Sequence, residues 1–170
     1  MSFVFANPNE KGIYTIDCVV RALSIATNST WEEIFVDIFI QGYLNKDMPS
    51  SNKVWGDYLK YKGFKRYIIP DTCPDCYTVR DFCQDYPTGT YILGTGSHVI
   101  AVKDGDYYDT WDSGNELPIY YWKETVGDEL SDTLHERIGS ELSAILPESA
   151  DDSTIPAAST TNSISECQNE

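Results

Sequence analysis

The chain has 170 residues, enough for one packed domain with an appendage, and 13% of them are aromatic, twelve being tyrosine. The formal net charge of −15, with no Lys/Arg cluster, argues against nucleic-acid binding, which depends on neutralising phosphates. No stretch approaches the roughly 20 apolar residues that cross a bilayer, so no membrane association is expected.

Residues 1–16 hold Pro8, Gly12 and scattered polar residues and read as an irregular arm. Their start lacks a basic region and a long apolar run, so no signal peptide is expected. Asp17 is placed to cap a helix of about ten residues, with Cys18, Ala22 and Ala26 on one face and Val19 and Leu23 beside it. Asn28-Ser29 breaks that helix. Thr30-Trp31-Glu32-Glu33 is a capping box, and Trp31, Ile34, Phe35, Ile38 and Phe39 form an apolar stripe expected to end near Gly42. A third helix is expected after Pro49-Ser50-Ser51, running through Val54, Trp55, Tyr58 and Leu59 to Gly63. All three are expected to pack on the core. The basic residues Lys60, Lys62, Lys65 and Arg66 read as a solvated helix end and strand start.

The pattern then changes. Phe64 to Ile69 reads as a strand ended by Pro70, and Thr78-Val79-Arg80-Asp81 starts a short helix to about Gln84. Thr90–Gly94, His98–Lys103, Asp106–Trp111 and Pro118–Trp122 read as four strands separated by Gly, Asp and Pro. Helices first and strands later predict an α+β domain over residues 1–123, with a mainly antiparallel sheet packed on N-terminal helices. From Glu124 onward eleven acidic residues meet one basic residue, Arg137. Residues 124–146 hold at most one weak amphipathic helix, and residues 147–170 read as a disordered acidic tail rich in Ser and Thr.

The chemistry-bearing residues are Cys18 and His98. A cysteine attacks as thiolate, and a helix N-terminus favours that form through its partial positive charge and unpaired N–H groups. A histidine can lower the thiol pKa further and later protonate a leaving amine. Its imidazole needs a carboxylate or amide to fix the tautomer, and Asp109 and Asp112 compete for that role. A two-residue Asp104-Gly105 turn pairs Val102 with Tyr107 and makes Asp109 a diagonal neighbour of His98. A three-residue loop shifts the register by one and brings Asp112 onto the His98 face. The Ser113-Gly114 pair, which frees the strand end to bend, tilts the expectation toward Asp112. The five cysteines are an odd count without a secretory context, so a reduced, cytoplasmic setting with a free Cys18 thiol is expected.

Asp-Cys-Val-Val-Arg-Ala-Leu (17–23), Thr-Val-Arg-Asp-Phe-Cys (78–83), Pro-Thr-Gly-Thr-Tyr-Ile-Leu (87–93) and the run from Ser97 to Ser113 resemble small papain-like cysteine-peptidase-fold proteins encoded by bacteriophages and bacteria. The resemblance covers about residues 12–123. It implies a papain-like fold and a Cys-His-Asp hydrolase of peptide or isopeptide bonds, with Cys18 as nucleophile and His98 as base, acting on a protein or peptide. A phage origin would place it in host cytoplasm. Papain has a glutamine before its nucleophile to complete the oxyanion hole, whereas residues 12–17 here carry no amide side chain. That role is left to Asn7, Asn9, Thr15 or backbone amides.

Two other constellations are weaker. Cys73-Pro74-Asp75-Cys76 has the spacing of half a zinc knuckle, with Cys83 nearby but no fourth ligand. Asp104, Asp106, Asp109 and Asp112 lack the helix-flanked frame and final Glu of a calcium loop, and a hairpin turn explains them better. Neither a metal nor another cofactor is expected. Two alternatives stand beside hydrolysis: a non-catalytic binding or inhibitor protein on the same fold, and an acyl transferase or deamidase using the same residues.

Overall fold

Three of the four described helix starts follow from local side-chain capping. In the computed structural model, which describes residues 1–70 and 74–125, helix α1 (Cys18–Thr27) begins after Asp17 and ends where Asn28 turns left-handed, with φ 54°. Helix α2 (Trp31–Asn45) opens on the complete capping box: Thr30 Oγ1 accepts from the Glu33 amide and the Glu33 carboxylate accepts from the Thr30 amide. Thr78 and Asp81 repeat the device at α4 (Val79–Asp85). Helix α3 (Asn52–Tyr61) is capped by Ser51 and closes at Lys62, just before Gly63 with φ 82°.

Among the described residues six strands form one mixed sheet: β1 (Phe3–Phe5), β2 (Phe64–Ile68), β3 (Thr90–Gly94), β4 (Val99–Lys103), β5 (Asp106–Asp109) and β6 (Tyr120–Glu124). Their spatial order is β1-β5-β4-β3-β6-β2, antiparallel throughout except for the parallel β1–β5 pair. The fold is therefore α+β, with helices on both sheet faces. Alternation along the strands sorts the core: Ile92, Val99, Ala101, Tyr120 and Trp122 pack with α1, α2 and α3, whereas Tyr91, Leu93, Ile100, Val102 and Tyr107 pack with α4.

Three expectations are corrected. The arm before Cys18 is not wholly irregular, because Phe3–Phe5 pairs with β5 and Ala6 N–H donates to the Asp109 carbonyl at 2.8 Å. Three residues carry too short a pattern to announce a strand. Helix α2 runs a turn beyond Gly42, whose missing side chain lets the Asp47 and Pro49 backbone approach. Finally, α2 buries Ile34 and Ile38 but leaves Phe35 and Phe39 exposed, so the core stripe is narrower than the apolar pattern. Of the acidic segment 124–146 only Glu124, the end of β6, and Thr125 are described; the remainder and the tail 147–170 lie outside the described residues. No described helix is long and apolar enough to cross a membrane.

Gly94, in the middle of the sheet, sits under the Tyr120 ring, and a methyl group there would run into it; Gly96, in the following bend, faces open space. Gly94→Ala is expected to lower unfolding free energy by about 1–3 kcal/mol. Gly96→Ala should stay within about 0.5 kcal/mol of the parent. Urea denaturation of the two variants checks the contrast.

Candidate active site

The first residue of α1, the bend before β4 and the last residue of β5 meet at one point. Cys18, half-buried, is carried by α1. Thr95 folds the bend back on itself: its N–H donates to the His98 carbonyl at 2.9 Å, and its hydroxyl accepts from the His98 amide at 3.1 Å. This fixes the histidine backbone beside α1. The hairpin turn Asp104-Gly105 has positive φ at both residues (51° and 78°) and pairs Val102 with Tyr107 and Lys103 with Asp106. It is the two-residue turn, and its register decides which aspartate reaches the imidazole.

His98 Nε2 lies 2.6 Å from Asp109 Oδ2. The expectation that leaned to Asp112 is corrected: β5 ends at Asp109, and the chain then turns away toward α4. There Asp112 accepts from Arg80 at 2.7 Å, from the Tyr107 hydroxyl at 2.6 Å and from the Gly114 amide at 3.1 Å. Cys18 and His98 line the same cleft, and each shifts the other's pKa. With Nε2 committed to Asp109, that leaves Nδ1 for the thiol. Trp111 lies against the imidazole, ring centroids 5.5 Å apart, and covers one side of the His–Asp contact.

Electrostatics at the thiol oppose one another. Burial alone would push the Cys18 pKa up. The hydrogen bond and charge of His98, the Val99 amide and the charge of Arg21 outweigh it and bring the thiol below its ordinary value of 9.0. Burial would likewise push His98 down, but the Asp109 hydrogen bond, the Cys18 hydrogen bond and the two negative charges raise it to about 9. Both shifts favour a thiolate–imidazolium pair.

Two residues to which the sequence reading gave no role at the thiol, Arg21 and Asp17, hold this arrangement. Arg21 is buried one turn along α1 and bonds Asp17 Oδ1, while its other terminal nitrogen lies 3.8 Å from Asp109 Oδ1. Asp17 Oδ2 accepts from Trp31 Nε1 at 2.9 Å. Asp17 therefore stands at the N-cap position without capping the helix through its side chain, and the first-turn amides beside Cys18 stay free of it. The available signal was a charged residue four places after Asp17 inside an otherwise apolar run, since i and i+4 share a helix face.

The thiol opens into a cleft of about 500 Å³. It is lined by Thr15 and Ile16 of the arm, by Trp31, Phe35 and Ile38 of α2, and by Thr95–His98. Of the residues considered for the oxyanion, Thr15 lines the cleft, whereas Asn7 and Asn9 accept from the Asn9 and Lys11 amides in local turns. Cys83 is buried in the α4 core and burial raises its thiol to about 12, while Cys76 is exposed. Cys73, the other half of the knuckle spacing, lies outside the described residues. Among the described residues no group of three His, Cys, Asp or Glu side chains is placed to hold a metal. Compared with protein-family models, curated proteins and solved structures, the chain matches none.

Asp109→Asn should lower the rate at which iodoacetamide labels Cys18 at pH 6 by roughly tenfold or more, because a one-unit pKa change is a factor of ten in the ionised fraction. Asp112→Asn should leave that rate unchanged. Equal effects of the two would separate Asp109 from the thiol chemistry. Arg21→Met leaves the buried Asp17 carboxylate without its cation and takes one of two charge partners from Asp109, and is expected to cost about 3–5 kcal/mol of stability, read by chemical denaturation.

Proposed function

We propose that the protein is a cysteine hydrolase of papain-like design that cleaves a peptide or isopeptide bond. The observation that carries this reading is one contact chain: the half-buried Cys18 thiol at a helix start engages His98, which bonds Asp109 at 2.6 Å, at the wall of an open cleft. A structural cysteine would be shielded and its pKa raised, as Cys83 is.

In the reaction, the Cys18 thiolate attacks the substrate carbonyl carbon and a C–S bond forms. The negative charge moves to the carbonyl oxygen, where the uncapped amides at the start of α1 are the donors at hand. The His98 imidazolium gives its proton to the departing amine as the C–N bond breaks. Neutral His98 then takes a proton from water, whose oxygen attacks the thioester. The C–S bond then breaks, a carboxylic acid leaves and the thiolate–imidazolium pair is restored. Asp109 holds the imidazole in the tautomer and orientation both steps need. An amine in place of water would make the same machinery a transferase, and a glutamine side-chain amide as substrate would make it a deamidase.

The pH dependence follows from the signs of the two shifts. A lowered thiol pKa keeps thiolate present as pH falls below 9.0, and a raised imidazole pKa keeps the acid protonated until about pH 9. Iodoacetamide labelling of Cys18 should persist at pH 6, and in His98→Ala it should fall to the rate of an ordinary thiol. Amide hydrolysis should decline above about pH 9 as the imidazolium is lost, while alkylation does not. Labelling at the free-thiol rate, or labelling indifferent to His98, returns the chain to the binding-protein reading.

A further inference from the structure

On the other side of Tyr120 from the cleft lies a second recess of about 280 Å³ that the reaction does not use. Asn52 and Tyr120 line both spaces, so a chain lying across Cys18 can extend into it. Its floor is apolar, formed by Trp55, Gly56 and Trp122. Gly56 keeps the floor low: a Cβ there would stand 3.1 Å from the Trp122 indole.

The rim is basic. Lys53 and Lys60 donate to one carboxylate, Asp57, at 2.8 and 3.0 Å, which leaves one positive charge over. The Arg66 guanidinium lies 4.1 Å from the Tyr120 ring centroid and has no carboxylate partner among the described residues. Stacked in this way, it keeps its planar fork of donors available to a carboxylate. Two uncompensated positive charges thus border an apolar recess on a chain whose net charge is −15.

We propose that this recess binds an acidic side chain of an extended peptide substrate whose scissile bond lies at Cys18; the inference rests on the hydrolase reading above. Charge complementarity and the shared Asn52 and Tyr120 walls, which set the recess beside the cleft, select the occupant. A nucleic acid fits less well, because a few cations on so acidic a chain offer little of the phosphate neutralisation that such binding needs.

The test uses the full chain as Cys18→Ala, so that nothing is turned over. Fluorescein-labelled Phe-Gly-Ala-Asp-Glu and Glu-Asp-Ala-Gly-Phe peptides, with their Asn/Gln counterparts, are followed by anisotropy at low ionic strength. An acidic peptide should bind about three- to tenfold tighter than its neutral counterpart, the range expected for a pair of exposed ion pairs. That preference should shrink with added salt and vanish in Lys53→Ala/Lys60→Ala/Arg66→Ala, whose substitutions are at exposed positions; a thermal melt checks its fold. Equal binding of acidic and neutral peptides, or a preference that survives the triple change, overturns the proposal. So does oligothymidylate binding as tightly as the acidic peptide and weakened by the same substitutions. Iodoacetamide labelling of the unmutated protein judges the hydrolase reading separately. Fast labelling without an acidic preference sinks the recess alone. Slow labelling with the preference intact removes the hydrolase and keeps the recess as an acidic-peptide site.

Discussion

The buried guanidinium of Arg21 is the interaction on which the candidate site depends. It lies between Asp17, which precedes the nucleophile, and Asp109, which orients the histidine. Two carboxylates this deeply buried would repel each other and carry a large desolvation cost without a cation between them. Arg21 supplies that cation from the same helix that presents Cys18, so the thiol, its helix and β5 are tied by one charge. Trp31 extends the tie to α2 through its bond to Asp17. The result is a continuous polar chain from the cleft wall to the thiol, enclosed by apolar side chains of α1 and β4.

The same arrangement explains why the thiol is tunable. Burial works against ionising Cys18, and what overcomes it comes from two places: His98 and the Val99 amide at the start of β4, and Arg21 on α1. None of these alone is unusual. Their convergence depends on the Thr95 bend, which turns the end of β3 back toward α1, and on β1, which pairs with β5 and bonds the Asp109 carbonyl. The cleft they border has an apolar wall on α2, while Tyr120 separates it from the basic recess. Lys60 and Arg66, which read in sequence as a solvated helix end and strand start, lie on that second surface with Lys53.

Much of the local structure was legible because its causes are local. The capping box at Thr30, the helix break at Asn28, the short α4 helix and the Asp104-Gly105 turn follow from residues within a few positions of one another. The juxtaposition of Cys18 and His98 was also anticipated, since a thiol at a helix start and a histidine before a strand are both visible in the chain. The aspartate was not. Both registers were open in sequence, and the lean to Asp112 rested on local flexibility after it. Arg80 and the Tyr107 hydroxyl, one of them on α4, claim Asp112 instead. Phe35 and Phe39 show the same limit, because an apolar residue on a helix flank is buried only if another element arrives to cover it.

What the sequence by itself determined is the set of elements apart from β1, their approximate ends and a short roster of reactive side chains. These depend on backbone propensity, capping and periodicity, which act over a few residues. Only the tertiary structure decided that Asp109 rather than Asp112 meets His98, that Arg21 bridges two carboxylates, and that a three-residue strand near the start secures the Asp109 end of β5. Each of these is a contact between residues far apart in the chain. Their energies come from burial and charge pairing, which take a value only once the helices and sheet have closed around them.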